Sequence, residues 1–159
     1  MPKWKKYLPL AASIGIAWGA AGLSFLLTGR DNMEGYSALH QPPLAPPGWL
    51  FPVVWTILYL LMGYASYRVL TSGADPRQIR KALTLYGAQL ALNFLWPLVF
   101  FGLEWYLAAF IILLALWVLI FLTIRAFSDI DERAGDLLLP YILWVTFAAY
   151  LNAGVYLLN

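Results

Sequence analysis

Cysteine is absent from this chain, and disulfides, thiolate nucleophiles and cysteine-type metal sites go with it. Histidine occurs once, at His40, so a multi-histidine metal centre cannot be built. Charge is scarce: Asp, Glu, Lys and Arg make up 11% of residues, against about 25% in soluble domains. The net charge of +2 comes without a basic stripe, which excludes the electrostatic footprint of a nucleic-acid binder. Glycine-rich phosphate loops, a Walker motif and a G-x-S-x-G elbow are all missing. So are internal repeats, low-complexity tracts and any linker long enough to separate two domains.

What the chain does have is apolar length. It is 62% hydrophobic and 17% aromatic, with eight tryptophans and ten prolines. Tyr7 to Thr28, Gln41 to Tyr67, Ala82 to Leu103, Trp105 to Ile124 and Leu137 to Asn159 carry no charge. Each run supplies the roughly 20 apolar residues that cross a bilayer, and in lipid such runs must be helical to satisfy their backbone. The strand-length alternation of a membrane barrel is absent. The fold class expected is an all-α integral membrane protein, a five-transmembrane-helix bundle in one domain over 1–159. The helices are expected at about 7–27, 49–70, 79–101, 105–127 and 136–158. The first run exceeds the 7–15 apolar residues of a signal peptide and is expected to be retained.

Five crossings put the N-terminus and the loops at 71–78 and 128–135 on one side. Nine basic residues lie there, including Lys3, Lys5, Lys6, Arg77, Arg80 and Arg133, and only Arg30 lies opposite. By the positive-inside rule the N-terminus is expected in the cytoplasm of a bacterial inner membrane, with the C-terminus outside. The segment "SDIDERAGD" is expected as a solvated charged turn. Gly73 and Pro76 punctuate the second loop.

The stretch "HQPPLAPPGWLFPVVW", residues 40–55, holds five of the ten prolines and the lone histidine. Paired prolines bias a chain toward a stiff extended form, whereas a floppy connector would use Gly and Ser. Residues 28–48 therefore form a rigid outer loop. It is either a cap tying the first two helices together or a preorganised lid over a cavity. His40 beside these prolines is expected to be solvated rather than to ligate haem.

Helical spacing sorts the polar and aromatic residues by face. Trp55, Tyr59 and Met62 align in the second run. Gln89, Asn93, Trp96, Pro97 and Phe100 align in the third, and Tyr141, Trp144, Ala148 and Asn152 in the fifth. At 1.5 Å per residue, Trp55, Asn93, Trp96 and Asn152 fall within about two turns of the outer surface. Ala148 lies a turn deeper and Trp144 near mid-membrane. Amides are costly in hydrocarbon and turn inward, either to bond neighbouring helices or to meet a ligand. Trp4, Tyr7, Trp49, Trp105 and Tyr106 suit an interfacial belt. Together the inward groups outline an aromatic cavity for a flat hydrophobic ligand. The small-residue ridges Ala11–Gly15–Gly19 and Gly87–Ala91 let helices approach closely. One is expected to serve a homodimer and the other internal packing, with the third helix favoured for the dimer.

"YSALHQPPLAPPGWLFPVVWTILYLLMGYASYRV", "ALNFLWPLVFFG" and "LPYILWVTFAAYLN" resemble the tryptophan-rich sensory protein / translocator protein family, also called the peripheral-type benzodiazepine receptor family. The resemblance spans nearly the whole chain. It implies five transmembrane helices, often dimeric, and a lipid bilayer as the surroundings. It also implies binding of protoporphyrin IX or haem as ligand, with no cofactor required, and of isoquinoline carboxamide or benzodiazepine-type compounds. Porphyrin or lipid transport, or light- and oxygen-dependent porphyrin degradation at Trp55 and Trp144, are the alternatives it carries. Its pocket positions map onto Tyr36, Trp55, Asn93, Trp96, Trp144 and Ala148; Pro47 of the loop, Tyr59 and Asn152 complete the expected ligand-binding set. Three departures stand out: Gly35 replaces a tryptophan, Gln41 replaces a lysine, and no basic residue follows Tyr156 to complete a cholesterol pattern.

Overall fold

The computed structural model describes residues 8–28, 39–45 and 50–159. The chain is built from helices: α1 (Leu8–Thr28), α2 (Leu50–Leu70), α3 (Pro76–Pro97), α4 (Tyr106–Ile130), a single turn α5 (Glu132–Asp136) and α6 (Leu139–Leu158). A π-helical stretch, Leu98–Gly102, continues α3. No strand occurs among the described residues. Four helical segments, Leu50–Leu70, Pro76–Gly102, Tyr106–Ile130 and Glu132–Leu158, are long and apolar enough to cross a membrane. Large apolar side chains cover the outside, with Ile111, Leu143 and Leu157 among the most exposed. A surface of that kind is matched by lipid rather than water, and the chain is an integral membrane protein.

Local chemistry sets the helix boundaries. Proline stands in the first turn of α2 (Pro52), α3 (Pro76) and α6 (Pro140), where a missing N–H costs nothing. Asp75 caps α3 by accepting a hydrogen bond from the Arg77 amide at 2.9 Å. That cap starts α3 three residues before the expected 79. Pro97 cannot supply the amide that would bond four residues back, and the ladder widens into the π stretch there. Chain reversal into α4 then uses a left-handed residue, Glu104 at φ 58°.

The segment "SDIDERAGD" is helical rather than a plain turn, while Asp129, Glu132, Arg133 and Asp136 are exposed as expected. Ser128 to Ile130 finish α4 and Glu132–Asp136 form α5. Asp131 caps that turn through the Arg133 amide, and Ala134 and Gly135 are buried. Gly135 lies so close to Ser128 of α4 that no side chain fits. Asp131 also accepts a 2.8 Å bond from Arg68 Nε at the end of α2. The guanidinium holds the Asp131 carboxyl below its usual range. Capping and pairing set apart Asp131 alone among the charged residues of the run.

The bundle packs α1 against α2, α3 against α4, and α4 against α6. α1 and α2 approach closely at Gly63, where an added Cβ would stand 2.8 Å from Ile14 Cα of α1. Gly15, Gly19 and Gly87 have nothing within 4 Å of that position, and Ala11 and Ala91 are exposed. The expectation that one small-residue ridge packs inside is therefore corrected: both face outward, and internal close approach falls to Gly63.

Gly63→Ala should lower the midpoint of thermal unfolding in detergent. The α1 backbone has to shift, and overpacking costs about 1–3 kcal/mol, more than the roughly 1 kcal/mol that alanine gains in a helix. Gly15→Ala should leave the midpoint unchanged or raise it. A matching drop in both variants would refute the close α1–α2 contact.

Candidate functional site

Four-residue spacing puts Phe51, Trp55 and Tyr59 on one stripe of α2, and α6 answers with Tyr141 and Trp144. The rings meet edge to face: Trp55 with Trp144 at 6.4 Å and 87°, Trp55 with Tyr141 at 6.2 Å and 73°, Phe51 with Trp144 at 5.8 Å and 69°. Such pairs contribute about 0.5–1.5 kcal/mol each beyond their buried area. Phe51 and Tyr59 are buried, while Trp55 and Trp144 are half-buried. The backbone of α6 packs on α4; toward α2 it offers these aromatic side chains. An aromatic space thus lies between two helices rather than within a tight helix pair.

Its inner end is polar. Tyr59 Oη donates to Asn93 Oδ1 at 2.7 Å. Asn93 Nδ2 donates to Tyr141 Oη at 2.6 Å. Tyr141 Oη donates to Gln89 Oε1 at 2.7 Å. Tyr59 comes from α2, Asn93 and Gln89 from adjacent turns of α3, and Tyr141 from α6. All four are at least 95% buried. Gln89 Nε2 and Trp144 Nε1 are buried without a hydrogen-bond partner among the described residues.

A second cluster lies where α3, α4 and α6 meet. Trp96 Nε1 donates to Asn152 Oδ1 at 3.0 Å, and Asn152 Nδ2 donates to the Tyr106 carbonyl at 2.8 Å. Trp96 stacks on Phe100 at 5.1 Å and 25°. Both polar groups of Asn152 are occupied within the protein.

The two clusters are joined by Phe101, whose ring lies 6.4 Å from that of Phe51 and 5.8 Å from that of Trp96. Trp55, Tyr59, Asn93 and Trp144 come together in the aromatic space. Trp96 and Asn152 pair with each other in the second cluster. Ala148 is buried one turn from both Trp144 and Asn152 on α6. Tyr36, Pro47 and Gly35 lie outside the described residues. Phe51, Tyr141 and Gln89 also belong to the aromatic space and its polar end. The four-residue step from Phe51 to Trp55 and the shared faces of Gln89 with Asn93 and Tyr141 with Trp144 were the signals that could have added them.

The described part of the proline loop, 39–45, docks on the C-terminal end of α6. Asn159 Nδ2 donates to the His40 carbonyl at 2.8 Å, and Asn159 Oδ1 accepts from the His40 amide at 3.3 Å. Tyr150 Oη donates to the Pro43 carbonyl at 2.7 Å. Pro42 is buried against Gly154, where no side chain fits. The His40 side chain is exposed. A separate shallow depression of about 410 Å³ lies near the α4 and α6 ends, lined by Glu104, Trp105, Tyr106, Tyr156 and Asn159 among others. Among the described residues no three His, Cys, Asp or Glu side chains come together as a metal site would need. The chemistry the aromatic space offers is stacking surface plus one unpaired indole donor, which fits a flat ligand bearing an acceptor.

Residues 10–158 match the model of the TspO/MBR family. The chain is 41% identical over 157 residues to the "Tryptophan-rich protein TspO" of Chlorobaculum tepidum, covering 98% of both chains. It is 38% identical to the "Tryptophan-rich sensory protein" of Cereibacter sphaeroides, covering 98% of this chain and 92% of that one. It is 36% identical to the sheep "Translocator protein", covering 91% and 88%. The chain belongs to the TspO/MBR family.

Proposed function

We propose that this TspO/MBR-family chain is an intramembrane receptor for flat hydrophobic ligands, tetrapyrroles such as protoporphyrin IX or haem foremost, bound in the aromatic space between α2 and α6. The observation that carries the reading is the buried Trp144 indole N–H. It has no acceptor in the protein and stands among the rings of Phe51 and Trp55. A planar ligand with a carbonyl or carboxyl group would stack on those rings and satisfy that donor. Isoquinoline carboxamide and benzodiazepine-type compounds have the same chemistry. Relatives named as sensory and translocator proteins support a sensing or transport role in the membrane. No cofactor is required for binding of this kind.

Protoporphyrin IX titrated into the purified protein should quench tryptophan fluorescence saturably. Trp55→Phe should weaken binding by about 1 kcal/mol through lost ring area. Ala148→Leu should weaken it by about 1–3 kcal/mol, because added volume in a packed wall is costly. Trp105→Phe is the control, since Trp105 is 61% exposed. Equal losses in Trp105→Phe and Trp55→Phe would move the ligand to the lipid-facing surface and end the pocket reading.

The topology that goes with this function counts α1 as a fifth crossing, with the N-terminus in the cytoplasm and the C-terminus outside a bacterial inner membrane. Nine of ten basic residues on one side support it. Reporter fusions should be active in the cytoplasm at the 71–78 loop and outside at the C-terminus; a cytoplasmic C-terminal reporter would overturn the orientation.

A homodimer through the outward ridge of Gly87 and Ala91 is part of the same proposal. Gly87 has open space over its Cβ position, so Gly87→Leu leaves the monomer's packing intact. It should reduce cross-linked dimer in detergent, and an undiminished dimer fraction would remove α3 as the contact face.

A further inference from the structure

We infer that the row Tyr59–Asn93–Tyr141–Gln89 is a reversible hydrogen-bond relay, through which Gln89 sets the site's preference for ligands carrying a hydrogen-bond acceptor. The inference rests on the ligand reading above and specifies which functional group the site selects.

Every member of the row has both a donor and an acceptor. A tyrosine hydroxyl can donate once and accept, and a carboxamide offers its oxygen on one side and its NH2 on the other. The observed order runs one way. Tyr59 gives its proton to Asn93, Asn93 donates to Tyr141, and Tyr141 donates to Gln89. All donors point toward Gln89, and the far end of the row is a buried NH2 with no acceptor. The same heavy-atom positions accommodate the opposite order after half-turns of the two amide groups. Gln89 Nε2 then donates to Tyr141, Tyr141 to Asn93 Oδ1, and Asn93 Nδ2 to Tyr59. Three hydrogen bonds are kept. What changes is the end that holds the spare proton: it becomes the hydroxyl of Tyr59, whose ring lies 5.8 Å from that of Trp55.

The two orders differ in what they leave unpaired. Without a ligand the reverse order strands the Tyr59 proton and the Gln89 carbonyl oxygen, so the observed order is preferred. With a carbonyl beside Tyr59 the reverse order makes a fourth bond and gives the stranded Gln89 amide a partner. Half-measures fail. Turning Asn93 alone leaves Tyr141 with one proton facing two carbonyl oxygens, and turning Gln89 alone leaves that proton between two NH2 groups with no acceptor, so the row reverses as a unit. Burial keeps water from supplying the missing partners. Gln89 thus acts three hydrogen bonds away from the proton it releases, as a positioning residue.

The test uses 9-fluorenone and fluorene, flat tricycles of one size that differ by C=O against CH2. The full chain in detergent is labelled with 15N at its three glutamines, Gln41, Gln78 and Gln89. The Gln89 side-chain NH2 signals are identified by their loss in Gln89→Met. Fluorenone should move those signals downfield, and fluorene at saturation should not. Fluorenone should also bind about fivefold more tightly, the net effect of one neutral hydrogen bond. Tyr59→Phe should erase both the affinity ratio and the Gln89 shift. Tyr141→Phe, which cuts the row in the middle, should erase the shift at saturating fluorenone; if that variant does not fold, Tyr59→Phe alone decides. A Gln89 signal that ignores both tricycles, or answers both alike, overturns the relay while leaving the pocket in place. If neither tricycle quenches tryptophan fluorescence, the ligand reading is wrong and the relay falls with it.

Discussion

One amide, that of Asn93, joins the three long helices around the aromatic space. Its oxygen takes the Tyr59 proton from α2 and its nitrogen reaches Tyr141 on α6. In a bilayer interior no water competes for these groups. Each interhelical bond contributes about 0.6 kcal/mol on average and up to roughly 1.7, while an orphaned partner costs about 1–3 kcal/mol. The asymmetry fixes the hydroxyl ends of both tyrosines, and the rings behind those hydroxyls then have little freedom. Trp55 and Trp144 stand against those rings and against each other. The geometry of the aromatic space is therefore inherited from a polar row at its edge.

At the C-terminal end of α6 hydrogen bonding also holds the proline loop. Prolines 42 and 43 bring carbonyls without amides, so the loop offers acceptors that a neighbouring helix can meet with donors. Tyr150 and Asn159 of α6 supply donors to Pro43 and His40, and Gly154 makes room for the Pro42 ring. Stiffness in the loop and a smooth, small-residue face on α6 are two halves of one contact. Any opening of this part of the loop breaks hydrogen bonds to α6.

Helix type and inward faces were legible in the sequence because each long uncharged run has one physical solution in lipid, and because amides and aromatics recur at three- and four-residue steps. Helix ends were less so. The early start of α3 and the extra turn α5 come from Asp75 and Asp131 as caps, and a carboxylate beside a backbone amide looks in sequence like a solvated charge. Facing and depth say that a residue points inward, but not which neighbour it meets; Asn152 turns to the Tyr106 carbonyl and Trp96, and Phe101 stands between Trp96 and Phe51. The small-residue ridges misled because the signature of close approach is the same whether the partner lies inside the bundle or outside it.

The two buried asparagines then separate by the company they keep. Asn152 bonds a backbone carbonyl, which can only accept, and an indole N–H, which can only donate. Its orientation has a single solution, and it acts as a fixed tie between α3, α4 and α6. Asn93 bonds two hydroxyls, groups that donate or accept as their surroundings require. Nothing in its immediate partners dictates which way it faces; that is settled at the ends of the row, by Gln89 on one side and by whatever meets Tyr59 on the other. A rigid tie and an adjustable one are thus made from the same residue type in one bundle: Asn152 fixes its neighbours, while the donor–acceptor order at Asn93 is set from the ends of its row.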